Sequence, residues 1–390
     1  MKYRTLIVLT AAQAFAQTGA PIVVLLGGIV GAMIAPADNL VTLPIALMIV
    51  GTAASTVPAA LIMSKFGRKA GFLFGGSYAC GAGVLAAWAI EIQNFWLFCV
   101  ATFVIGSHNA FVQQYRFAVA ESVPAHKVGP AVSILMLAGV AAAFTGPEVA
   151  SRLHALGPWG LYSGSFLGLS ALMLAAIVLL TFYPGSKLKL EEMQAPQRGL
   201  SKIALQPVFL LAVGAAVVGY AVMSLVMTAT PVAMHTHDHF SLNDTKIVIQ
   251  SHIVAMYLPS LFSGFLIARF GSMKIIGVGL ALIMGCLVIA FVDRGLMHYW
   301  WALVLLGVGW NFLFVGGTTL LTSTYQPGER FKVQALNDFL IFGLQAVAAL
   351  GSGVILASLG WEWILGLSLP WLVLLLPVMW MAARVQRSPT

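Results

Sequence analysis

Apolar runs of about 20 residues or more follow one another from end to end of this chain, separated by short, weakly polar turns. Wound as an α-helix at about 1.5 Å per residue, a run of that length matches the hydrocarbon core of a bilayer. Twelve such runs occur, at 5–33, 41–63, 70–90, 95–122, 129–152, 158–183, 204–233, 244–268, 273–293, 298–324, 334–358 and 363–384. The pattern predicts an all-α membrane protein with twelve transmembrane helices. No soluble domain is left over, and the one long polar interruption lies at mid-chain, at 184–203.

Composition agrees with the pattern. At 60% hydrophobic and 8% charged residues, with a mean hydropathy of +0.95, 390 residues carry too little polar surface to wrap a water-soluble core. The 20 Lys and Arg residues then report topology. With both termini cytoplasmic, seventeen of them fall on that side, and Arg152, Lys246 and Arg294 face out. The net charge of +8 therefore gives no reason to expect a nucleic-acid partner; the bilayer is the expected surrounding. The basic N-terminus and the run after it read as the first transmembrane helix, because the run is too long for a signal peptide and lacks a clear cleavage site. Cys80, Cys99 and Cys286 are scattered over three spans without a CxxC spacing, as small buried hydrophobes are.

The chain also repeats itself. Ser64-Lys65-Phe66-Gly67-Arg68-Lys69 after the second span is echoed by Ala268-Arg269-Phe270-Gly271-Ser272-Met273-Lys274 after the eighth, 204 residues on. Asn109, Pro124 and Ala131 find counterparts in Asn311, Pro327 and Ala335, offset by 202 to 204. A duplicated six-helix unit is the simplest account, with halves 1–183 and 204–390 joined by a cytoplasmic linker at 184–203. The basic, glycine-containing turn after spans two and eight resembles the loop signature of the major facilitator superfamily, in a form lacking that turn's acidic residue. The resemblance covers the whole chain. It implies two six-helix halves that rock about a midplane site to give alternating access.

Two side-chain pairs at helical spacing stand out in the second half. Met223 and Met227 lie four apart on the seventh span, and His252 and Met256 four apart on the eighth, so each pair shares one helix face. If these helices run antiparallel about the polar turn 235–244, Met227 falls level with His252 and Met223 with Met256. Thioether and imidazole suit Cu(I), and uncharged ligands avoid the cost of ionised groups deep in a bilayer. The same residues also suit gap-filling core positions. In the turn itself, His235, His237 and His239 alternate, the arrangement of a metal-capture loop or of a solvated polar turn.

Met-xxx-Met on the seventh helix with His-xxx-Met on the eighth is similar to the pattern of the CcoA-like copper importers, a branch of that superfamily. The resemblance implies import of copper across the bacterial inner membrane to supply cytochrome oxidase assembly. Copper is then a transported substrate, with no permanently bound cofactor and a cytoplasmic copper chaperone as the candidate receiver. The branch also holds proteins resembling riboflavin importers, so import of an organic solute such as riboflavin is the alternative.

That alternative draws on other residues. The fourth span carries His108, Asn109, Gln113, Gln114, Tyr115, Arg116 and Glu121, a polar run suited to an anionic organic solute, and Tyr115, Tyr220 and Trp310 are candidate cavity aromatics. Arg116 needs a partner at its depth, either Glu121 or an acid on another helix. Glu148 after Gly146-Pro147, and Asp338 beside Asn337, are candidates for gating or proton coupling with Arg116 and Glu121. Structural pairing, with Arg330 or Lys332 for Asp338, is the other reading. Gln13 and Gln17 suit either a cavity lining or bonds to neighbouring helices. The chain carries no hydrolytic or redox constellation and is not expected to be an enzyme.

Overall fold

A computed structural model describes residues 3–37, 40, 43–156, 160–185, 198–234 and 238–387. Among them, twelve helices are long and apolar enough to cross a membrane. They are α1 (Arg4–Gly31), α2 (Leu43–Phe66), α3 (Arg68–Glu91), α4 (Phe95–Ala120), α5 (Ala125–Leu153), α6 (Ser163–Thr181), α7 (Pro207–Thr230), α8 (Ile247–Phe270), α9 (Ser272–Val292), α10 (Leu296–Leu321), α11 (Pro327–Leu356) and α12 (Trp361–Val385). The all-α, twelve-span reading of the sequence holds, and most boundaries agree within a few residues. Two of the larger differences have a local cause. Helices α5 and α11 begin earlier than the apolar pattern suggests because a single 3-10 turn, Ala125–Lys127 after Pro124 in one case and Pro327–Glu329 in the other, starts each before its apolar stretch.

The sequence echo has a structural counterpart. Gly67 starts α3 with φ 85° and ψ 158°, and Gly271, 204 residues later, starts α9 with φ 88° and ψ 150°. A side chain would strain either backbone, which is why the turn keeps glycine in both copies. Helix packing repeats as well: α2 packs on α4, and α3 on α4 and α6; likewise α8 packs on α10, and α9 on α10 and α12.

Several helices are interrupted. α1 breaks at Gln17–Thr18, α4 at Gln114, α5 at Leu137 and α8 at Leu258–Pro259. Breaks at membrane depth are tolerated where the freed polar groups find partners or line a cavity. Gln17 and Gln114 sit at two of them.

The chain divides into two compact units: one of Met1–Ser122, Ala138–Met193 and Gln334–Phe339, the other of Val123–Leu137, Gln194–Val333 and Leu340–Thr390. In the first, α2 and α4 cross at backbone contact, since a Cβ on Gly106 would lie 1.9 Å from the Met48 carbonyl oxygen and one on Gly51 2.2 Å from that of Phe103. In the second, the start of α5 also lies close to α8, with Gly129 against Gly264 and the Ser133 and Ser263 hydroxyls 3.1 Å apart. The mid-chain linker falls largely at 186–197, outside the described residues. Its far end is held in the second unit. The guanidinium of Arg198 donates to both carboxylate oxygens of the buried Glu329, at 2.9 and 2.6 Å, and to the Thr324 carbonyl. This bond to Glu329 raises the pKa of Arg198 above its usual value. Arg198→Ala is expected to lower the thermal midpoint in detergent because it strands a buried carboxylate, with Glu329→Gln in the same chain restoring most of the loss.

Candidate functional site

The polar run of α4 enters an ionic network inside the first unit. Arg68, at the start of α3 and 1% exposed, donates through Nη2 to Glu121 Oε1 and Gln334 Oε1, each at 2.8 Å, and through Nη1 to the Gln114 side chain at 3.3 Å. Gln114 donates onward to Asp338 Oδ2 at 2.8 Å, and Arg116 is paired with Asp338 Oδ1. Asn337 Nδ2 and Gln334 Nε2 complete the chain, donating to Asp338 and Glu121 at 2.8 Å each. Two cations meet two carboxylates, so the network is neutral, and the side-chain amides of Gln114, Asn337 and Gln334 donate to the same two carboxylates, the kind of pairing under which buried ions are tolerated. Arg116 thus takes the acid on another helix, while Glu121 takes Arg68. Asp338 pairs with neither Arg330 nor Lys332.

A second feature of this unit is a small cavity with room for one water molecule, lined by Gln17, Met48, Ala79, His108, Asn109 and Met173 among others. His108 is 3% exposed and neither ring nitrogen makes a well-formed hydrogen bond; the Gly75 backbone faces the ring. Beside it, Tyr78, Ser107 and Ser55 form a hydroxyl chain with spacings of 3.2 and 2.7 Å. Tyr115 packs edge-on against Phe72, 4.5 Å between ring centroids, in the same unit.

In the second unit, His252 is fully buried and Met223 and Met256 nearly so, while Met227 is partly exposed. The Nδ1 of His252 lies 2.8 Å from the Leu303 carbonyl, which fixes the N–H there and leaves Nε2 as a lone pair without a partner. Both paired motifs sit on helices that pack along α10, yet α7 and α8 barely touch each other. The direct helix contact presumed by the matched-depth pairing is replaced by packing on α10: a Cβ on Gly307 would lie 2.7 Å from the His252 carbonyl oxygen, and Asn311 donates to the Met256 carbonyl at 2.8 Å.

The same unit builds an aromatic cluster. Tyr220 touches Trp310, Phe314 and Phe342 edge-on at 5.2 to 5.4 Å, Trp310 stacks on Phe314 at 5.1 Å, and Tyr257 meets Trp310 at 5.9 Å. Trp310 is 1% exposed, and its indole N–H has no acceptor. Tyr220 and Trp310 are two of the cavity aromatics expected from the sequence; Tyr257, Phe314 and Phe342 join them through the packing of their helices, which no local spacing encodes.

The remaining sequence candidates lie elsewhere. Glu148 is exposed and pairs with Arg152 one turn away. His235 and His237 fall outside the described residues, and His239 is exposed with φ 57°. Asp238 accepts from the Tyr299 hydroxyl at 2.6 Å. Among the described residues, no group of three or more His, Cys, Asp or Glu side chains is placed to hold a metal ion. The three cysteines are free.

The family profile of the Major Facilitator Superfamily matches residues 34–349. The riboflavin transporter RfnT of Brucella anthropi is 39% identical over 375 residues, covering 96% of this chain and 94% of the relative. Among solved structures, the human organic anion transporter TETRAN aligns with a TM-score of 0.76 at 12% identity, covering 98% of this chain and 99% of that one. A bacterial homologue of the iron transporter ferroportin, in an outward-facing state, aligns with a TM-score of 0.76 at 14% identity, covering 97% and 99%. At such identities, the last two are likenesses of fold alone.

Proposed function

The chain belongs to the major facilitator superfamily, and on that premise we propose that it is a secondary transporter importing riboflavin or a closely related flat heteroaromatic solute. The near full-length similarity to a riboflavin transporter carries this reading. The aromatic cluster supports it. A tricyclic ring system is recognised by aromatic faces and edges plus a few polar groups; the cluster supplies the rings, and Trp310, with one face covered by Phe314, adds an unpartnered N–H. In this reading the protein lies in the bacterial inner membrane with both termini cytoplasmic, following its distribution of Lys and Arg. The Arg68–Glu121–Gln114–Asp338–Arg116 network then lies toward the cytoplasmic side and acts as part of a gate.

Trp310 gives this reading its test. In a riboflavin-auxotrophic bacterium lacking its own importer, the wild-type chain is expected to restore growth on micromolar riboflavin. Trp310→Ala is expected to raise the KM for uptake about tenfold, in line with about 1–3 kcal/mol for a stacked ring contact. Trp310→Phe, which keeps a ring and drops the N–H, is expected to fall between. Unchanged uptake in both variants speaks against the cluster as a solute site.

Copper import is the second reading, and His252 favours it. A histidine that donates Nδ1–H to a backbone carbonyl and presents a free Nε2 has the arrangement of metal-ligating histidines. Labelled copper uptake in the same cells separates the two readings. Copper accumulation lost in His252→Ala and Met227→Ala, with no riboflavin uptake in the wild type, establishes the second. A cytoplasmic chaperone as receiver belongs to that reading alone.

A further inference from the structure

Coupling import to a proton gradient needs a group that gains and loses a proton during the cycle, and in this conformation the buried and half-buried carboxylates of the spans are ion-paired. Among the described residues, Asp338 is bound to Arg116, Glu121 to Arg68 and Glu329 to Arg198, while Glu148 is exposed beside Arg152. Two buried histidines remain. His252 has one ring nitrogen fixed on the Leu303 carbonyl. His108 has neither nitrogen in a well-formed bond and borders a cavity with room for one water.

We propose that His108, with Gln17 and Asn109 around its cavity, is the proton-binding site that couples import to a proton gradient. The inference rests on the reading of the chain as a solute importer. Its surroundings fit a group that must be neutral now and charged later. Around the cavity it borders, α1 supplies Gln17, whose Oε1 has no partner; α2, Met48; α3, Ala79, with the Gly75 backbone facing the imidazole and the Tyr78 ring 6.4 Å from it; and α6, Leu169 and Met173. Tyr78 is the one titratable side chain among these groups. The charged residues on the same helices are remote. Arg4 and Gln17 are separated by about 20 Å of helix rise, Lys65 and Met48 by about 25 Å, Arg68 and Tyr78 by about 15 Å, Lys69 and Tyr78 by about 13 Å, Glu91 and Tyr78 by about 20 Å, and Arg116 and His108 by about 12 Å. Arg68 and Arg116 are moreover paired with carboxylates.

An imidazolium here would be a buried charge without a counter-ion, so this conformation holds the neutral ring. Protonation then favours any conformation in which the cavity meets water, with Gln17 Oε1 as an acceptor for the new N–H. By linkage, a proton and this conformation compete, which is the requirement for a proton to drive the cycle. Protonation exchanges an O–H bond of hydronium for an N–H bond of the ring, and deprotonation reverses it. The proton arrives from water on one side and leaves to water on the other.

The test uses the full-length protein in liposomes, with labelled riboflavin as probe. An imposed inward proton gradient is expected to drive accumulation severalfold above equilibrium in the wild type, with acidification of the lumen read by an internal dye. His108→Gln is expected to bring the accumulation ratio to one and abolish the acidification, while riboflavin exchange at equal concentrations remains measurable. Accumulation by the wild type that survives collapse of the proton gradient overturns the proposal, as does retained coupling in His108→Gln. Absence of exchange in the wild type counts against the solute reading instead. A readout independent of solute completes the test: in protein labelled with nitrogen-15 histidine, the ring signal missing from His108→Gln should change from neutral to protonated between pH 8 and 5. A ring neutral throughout that range overturns the proposal whatever the solute is.

Discussion

Asp338→Ala is expected to destabilise the protein by about 3–5 kcal/mol, the range for removing one partner of a buried ion pair. Its carboxylate accepts from Arg116, Gln114 and Asn337, and Arg116 is itself 2% exposed. Truncation leaves a guanidinium in a low-dielectric interior with its principal counter-charge gone. Asp338→Asn keeps the shape and some of the hydrogen bonding but not the charge, and should cost less than half as much. Replacing both members, as Arg116→Met with Asp338→Leu, removes the stranded charge and should recover most of the stability, since apolar replacement of a whole buried pair is often neutral or better. Thermal unfolding in a single detergent, followed by intrinsic fluorescence, orders the four proteins. If Asp338→Ala and the double variant are equally destabilised, the pair acts through packing and not through charge.

Gly264→Val is expected to disrupt the contact of α5 with α8. A Cβ at this position would stand 2.5 Å from the Gly129 carbonyl oxygen and 2.6 Å from Pro130 Cα, both backbone atoms that cannot swing aside. The helices must part by about 1 Å, and overpacking of this kind costs about 1–3 kcal/mol. Spent against one conformation of an alternating-access cycle, that amount changes its population about 5- to 150-fold. Ser263, 3.1 Å from Ser133 across the same seam, supplies the reporter. With Cys80, Cys99 and Cys286 replaced by serine, Ser263→Cys should react with a maleimide at least several times faster when Gly264 is valine. Gly264→Ala should give an intermediate rate. Equal rates in all three show that the seam is already open during the cycle.

The sequence conveyed the spans because an apolar run of bilayer length is a direct physical signal. The echoed glycine turn was legible too, and Gly67 and Gly271 share one backbone conformation 204 residues apart because the same turn is needed twice. Partnerships were harder to read. Arg116 declared its need for an acid by its depth, yet the acid lies 222 residues away, and no local spacing encodes such a pairing. Arg68 read as one of the basic residues of a turn, and its place at the centre of the network follows from α11 delivering Gln334 to it. The Met and His pairs show the converse. Their helical faces were legible, but their mutual placement depended on assuming that consecutive helices pack together, and both α7 and α8 pack on α10. Gln17 and His108 were visible as polar residues in apolar spans; the cavity between them required the fold.

Uptake of labelled riboflavin into liposomes containing only the purified protein tests the central claim most directly. The account predicts saturable entry that unlabelled riboflavin displaces and that Trp310→Ala weakens about tenfold. Liposomes that admit no riboflavin yet accumulate labelled copper, with dependence on His252, contradict it.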